Sequence, residues 1–122
     1  MRTVFFDVDD TLVMWPSSKA RKIKYTELKA VTVVDPYIKK ENVKYELRVH
    51  QKHVDWLVRM KKRGEKIVVW SAGGEKWAKA VCDALKISKY VDVFLSKPDT
   101  MYDDADPKEW LPAKPRWEDP VS

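Results

Sequence analysis

Apolar residues in this chain fall into two rhythms: continuous runs of strand length, and stripes that recur at helical spacing. Val4-Phe5-Phe6, Ile67-Val68-Val69-Trp70 and Val91 to Leu95 are runs of largely β-favouring residues, and each reads as a buried strand. Between the first two, Val54, Leu57 and Val58 predict a helix from about His50 to Arg63. Gly64 serves as its C-terminal cap, and Lys61-Lys62-Arg63 forms a basic last turn suited to the helix dipole. Trp77, Ala78, Val81, Cys82 and Leu85 form a second stripe from about Glu75 to Lys86. Strand, helix, strand, helix, strand predicts an α/β fold with a parallel central sheet, right-handed crossovers and helices on both faces.

The remaining segments are shorter. Trp15-Pro16-Ser17-Ser18 is a turn signal, and the basic Lys19 to Lys24 stretch has no period and reads as a loop. Ala30 to Val34 is β-rich and ends at Asp35-Pro36. Together with Tyr37 to Lys40, the polar step Lys39-Lys40-Glu41-Asn42 and Val43 to Val49, it predicts a small β-hairpin flap over about residues 30–49. A short fourth strand is expected at Met101 and Tyr102, ending at Asp103-Asp104. Beyond it, Pro107, Pro112, Pro115 and Pro120 argue against a long helix in the tail of residues 105–122, which Trp110 and Trp117 are suited to pin to the body.

A length of 122 residues, 44% apolar and 35% charged, fits one packed domain over residues 1–122. No apolar run approaches the roughly 18 residues of a membrane span, and the first residues lack a secretory pattern, so a cytoplasmic protein is expected. The single cysteine, Cys82, excludes an internal disulfide and reads as core. The net charge of +5 is uneven: Lys19 to Lys66 is rich in lysine and arginine, whereas residues 97–122 are acidic. That pattern suits an anionic substrate or partner, or simply a solvated lysine-rich surface.

The candidate chemistry lies where the runs end. Ligands in open α/β sheets sit beyond the carboxyl ends of the strands, and there the chain places Asp7, Asp9 and Thr11, then Ser71, then Lys97, then Asp103-Asp104. Asp7 and Asp9 share a side of extended chain, and their charges repel unless a proton or cation lies between them. His50 and His53 lie three apart but lack the further ligands that a metal site needs.

This order of strand ends resembles the motif order of the haloacid dehalogenase superfamily of phosphoryl-transfer enzymes, over Val4 to Asp104. Val-Val-Trp-Ser-Ala-Gly-Gly, with Ser-Lys-Pro and a closely following Asp-Asp, is similar to small capless members, many encoded by phages. The resemblance implies a three-layer Rossmann-like fold without a large cap domain. It also implies a Mg²⁺-dependent phosphomonoester hydrolase working through an aspartyl-phosphate. Asp7 would be the nucleophile, and Asp9 the general acid and then base. Ser71 and the amides around Ala72 and Gly73 would bind the phosphoryl group, with Thr11 steadying the loop and Lys97 supplying fixed positive charge. Asp7, Asp9, Asp103 and Asp104 would surround the metal.

Two departures stand out. Asp10 occupies a position where many relatives have glycine, and Asp103-Asp104 follow Lys97 closely without a preceding glycine. An open site would admit a small phosphomonoester or a terminal phosphate on a polymer, and the basic Lys19 to Lys66 stretch tilts this toward a nucleotide or nucleic-acid end. The alternative is a noncatalytic module of the same scaffold that binds nucleic acid through its basic face.

Overall fold

The structure is a computed structural model and describes residues 1–17, 25–38, 42–106, 118 and 120. Three parallel strands form the main sheet: β1 (Thr3–Asp7), β5 (Lys66–Ser71) and β6 (Val93–Ser96), in the order β1-β5-β6. A second, antiparallel sheet has the order β2-β4-β3, from β2 (Val13–Met14), β3 (Ala30–Val34) and β4 (Lys44–Val49). The helices are α1 (Gln51–Lys62) and α2 (Glu75–Ala84), and a 3-10 turn at Ser88–Tyr90 leads into β6.

The alternation of the strands decides where the core lies. Val4 and Phe6 of β1, Ile67 and Val69 of β5 and Phe94 of β6 share one face. They cluster with Val54 and Leu57 of α1 and with Trp77, Ala78, Val81 and Cys82 of α2. Among the described residues both helices therefore lie on one face. The reason is topological: both crossovers step the same way along the sheet, and right-handed connections then land on the same side. The other face carries Phe5, Trp70 and Leu95, with Phe5 and Trp70 in an edge-on pair at 4.7 Å.

Helix boundaries follow local chemistry. His50 is the N-cap of α1, its side chain accepting from the His53 amide, and Gly64 follows the last turn at φ 91°, a conformation that costs glycine least. The flap is larger than a hairpin. β3 and β4 pair from Ala30↔Arg48 to Val34↔Lys44 as expected, but Val13 and Met14 add a third strand to β4. Tyr37 and Ile38 lie outside the strands, and Lys39, Lys40 and Glu41 fall outside the described residues. Among the described residues β6 is an edge strand with Leu95 exposed, not the buried run the sequence suggests. The expected strand at Met101 and Tyr102 is not formed. Both residues are exposed in irregular chain after Pro98, where nothing among the described residues pairs with two isolated apolar residues. Of the Pro-rich tail only Ala105, Asp106, Glu118 and Pro120 are among the described residues; Trp110 and Trp117 lie outside them.

Candidate active site

The chain turns as soon as β1 delivers Asp7. Val8 is fully buried, and its carbonyl accepts from the amides of Thr11 (3.2 Å), Leu12 (2.9 Å) and Val13 (3.2 Å), curling the loop around a single oxygen. This tight path forces Asp10 to φ 60°, a left-handed conformation that glycine adopts freely and that aspartate tolerates better than most residues. The Asp10 carboxylate then accepts the Trp15 amide at 3.1 Å. Asp10 thus meets the geometric demand of a glycine position and fixes the loop exit with its side chain.

Asp7 and Asp9 come out of this loop in contrasting surroundings. The half-buried Asp7 carboxylate pairs through Oδ1 with Lys97 Nζ at 2.8 Å and accepts the Thr11 hydroxyl on Oδ2 at 3.1 Å. Lys97 reaches it because Ser71 pairs with Ser96, and the Lys97 amide then donates to the Ser71 carbonyl at 2.9 Å. The Asp9 carboxylate accepts three donors: the indole N–H groups of Trp15 (2.8 Å) and Trp77 (3.1 Å) on Oδ1, and the Ser71 hydroxyl (3.3 Å) on Oδ2. Ser71 is fully buried, and its Oγ also accepts the Gly73 amide at 3.0 Å. Three strand ends and one loop thus bring Asp7, Asp9, Thr11, Ser71 and Lys97 together.

Other expected residues sit differently. The Gly73 amide is committed to Ser71, and Ala72 is exposed beside it. Asp103 and Asp104 are exposed, and Asp103 accepts the Ala105 amide at 2.8 Å in a local turn. Among the described residues no three acidic, histidine or cysteine side chains are gathered to hold a metal. His50 and His53 are not disposed as ligands. Their rings stack at 3.6 Å, and both bond to the backbone of Glu118.

Several residues of the site gave no sequence signal. Trp15 and Trp77 read as a turn residue and a core residue, since their role depends on where a distant carboxylate falls. His53 Nδ1 meets the Thr11 carbonyl at 2.8 Å and ties α1 to the loop that follows β1. Beside Asp9 lies a pocket of about 310 Å³ lined by Asp9, Trp15, Asp35, Tyr37, Tyr45, Gly73 and Trp77. The Tyr45 hydroxyl at 2.8 Å, helped by the Tyr37 amide, holds the Asp35 carboxyl below the ordinary carboxylate range. Trp15, Tyr45 and Trp77 pack on one another at 5.5 to 6.1 Å, joining loop, flap and α2.

No curated protein and no solved structure matches the chain. Its sequence does match a family model over residues 2–107, a span that holds every strand and helix above. Together with the parallel sheet and the acidic site at its carboxyl edge, this match establishes that the chain belongs to the NLI interacting factor-like phosphatase family, a phosphatase family of haloacid dehalogenase type.

Proposed function

We propose that this phosphatase hydrolyses phosphomonoesters through an aspartyl-phosphate on Asp7. The observation that carries the reading is the contrast between two neighbouring carboxylates: Asp7 faces a lysine, whereas Asp9 is immobilised by two indoles and a buried serine. An Asp7 oxygen attacks phosphorus, and the ester oxygen departs with a proton from Asp9. Asp9 then takes a proton from water, whose oxygen attacks the acyl phosphate, releasing phosphate and restoring Asp7. Lys97 neutralises charge on Asp7 and on the incoming phosphoryl oxygens, Thr11 orients the nucleophile, and Ser71 holds Asp9 in place.

The donor set suits a hard cation. Asp7 accepts one donor on each oxygen and keeps lone pairs for another partner. A magnesium ion held by Asp7 and the Asp9 backbone carbonyl, with phosphate and water filling the other positions, would offset repulsion between carboxylate and phosphate. Asp103 and Asp104 are not gathered with these groups.

Asp7→Asn tests the reading. Its expected outcome is loss of phosphate release from an aryl phosphate with an unchanged circular dichroism spectrum, and retained turnover would remove Asp7 as nucleophile. The basic stretch Lys19 to Lys66 supports a finer reading, a nucleotide or nucleic-acid terminal phosphate, which requires turnover that falls steeply with salt.

A further inference from the structure

The pocket beside Asp9 is walled by four aromatic residues whose polar hydrogens are already used. Trp15 and Trp77 give their N–H groups to Asp9, Tyr45 gives its hydroxyl hydrogen to Asp35, and Tyr37 gives its own to the Gly73 carbonyl at 2.9 Å. What remains toward the pocket is ring surface and acceptor oxygen: two carboxylates, two phenolic oxygens and a peptide carbonyl. The described lining residues include no lysine, arginine or histidine. Asp35 stays ionised because Tyr45 and the Tyr37 amide stabilise its charge. Apart from the Asp9 proton that the departing ester oxygen takes, an anionic group entering here meets no donor and faces the charged Asp35, whereas a cation meets aromatic faces and that fixed negative charge.

Asp9 belongs both to this pocket and to the catalytic pair, so the leaving group of an ester attacked by Asp7 has the pocket as its neighbour. We propose that the pocket takes a positively charged end of the leaving group, an ammonium or guanidinium, so that the substrates are phosphomonoesters whose leaving group carries a cation within reach of the pocket. This rests on the phosphatase reading and narrows it, and it displaces the nucleic-acid end suggested by the basic stretch. A volume of about 310 Å³ is ample for a trimethylammonium or guanidinium group.

The same cation chemistry occurs in small amino-alcohol phosphates and in phosphoserine beside a basic side chain, and matched pairs separate the two sources. Phosphocholine is compared with neohexyl phosphate, its neutral carbon isostere. A phosphoserine peptide with a neighbouring arginine is compared with its citrulline counterpart, and a nucleoside monophosphate and a terminally phosphorylated oligonucleotide serve as anionic rivals. The expected result is a preference of about tenfold in kcat/KM for the cation in at least one pair, the size of a partly desolvated cation–π contact. Asp35→Asn should shrink that ratio. Ratios near one in both pairs, or faster turnover of the nucleotide or oligonucleotide, overturn the proposal.

If no ester is turned over, the phosphatase reading fails and the pocket is still decided by NMR. Tetramethylammonium should shift the indole N–H signals of Trp15 and Trp77 saturably, and neohexanol should not. Absent or equal shifts overturn the proposal.

Discussion

Acid should weaken this fold through His50 before the carboxylates matter. The ring is fully buried, accepts the His53 amide on Nδ1 at 3.3 Å and, with its proton on Nε2, donates to the Glu118 carbonyl at 2.7 Å. A second proton must go onto Nδ1, against an N–H group and away from water. Burial therefore lowers its pKa from 6.5 to about 4, with stacked His53 and nearby Lys52 adding to the effect. Above pH 6.5 the ring is neutral in both folded and unfolded chains and costs nothing. As pH falls below 6.5 the unfolded chain takes up a proton that the folded chain refuses, so stability drops until about pH 4 and then levels. At about 1.4 kcal/mol per pH unit, a shift from pH 7 to pH 5 removes about 2 kcal/mol.

The carboxylates do not obscure this window. Asp92 is held low by Lys61, and Asp83 by Lys79 and Ser88, so the stability they contribute is present above the ordinary 3.8 and is lost only below it. Urea unfolding at pH 7 and pH 5, followed by tryptophan fluorescence, measures the loss. His50→Asn retains an oxygen to accept the His53 amide but cannot titrate, so it should lose clearly less stability than the wild type over the same interval, with any remaining loss belonging to the buried His53. Equal stability of the wild type at both pH values, or an equally steep loss in the variant, would refute the reasoning.

Lys97→Met should lower kcat/KM on an aryl phosphate by about 10² to 10³, with little change in melting temperature because the side chain is half-exposed. Trp77→Phe keeps most of the ring but removes one donor to Asp9; kcat should fall about tenfold while KM changes little, as measured in initial-rate assays. Gly74→Ala places a methyl group on the Tyr37 hydroxyl at a backbone φ of 103°, and should cost about 1 to 3 kcal/mol in urea unfolding. Adding Tyr37→Ala should recover part of that loss, since it relieves the clash but not the backbone strain.

Much of this architecture was legible because period and burial agree. β5, α1 and α2 each bury a continuous run or a helical stripe, β1 buries Phe6 of its run but leaves Phe5 exposed, and Asp7, Ser71 and Lys97 followed from their position at the strand ends. β2 was not legible, since two residues have no period of their own and become a strand only by pairing with β4. β6 looked buried because Val91 to Leu95 is apolar, yet it lies at a sheet edge where one side has no neighbour among the described residues. The acidic pair at Asp103-Asp104 was read as a strand end on residue type, without the apolar length that makes a strand. The indoles on Asp9 and the histidines on Glu118 are long-range hydrogen bonds, which no local pattern encodes.

The central claim is that Asp7 carries the phosphoryl group. Rapid acid quench during turnover, reduction with borohydride and peptide mass analysis would convert an aspartyl-phosphate into homoserine at the residue that formed it. The account predicts homoserine at position 7 and intact aspartate at positions 9 and 10; homoserine at position 9, or turnover with no reducible intermediate, would contradict it.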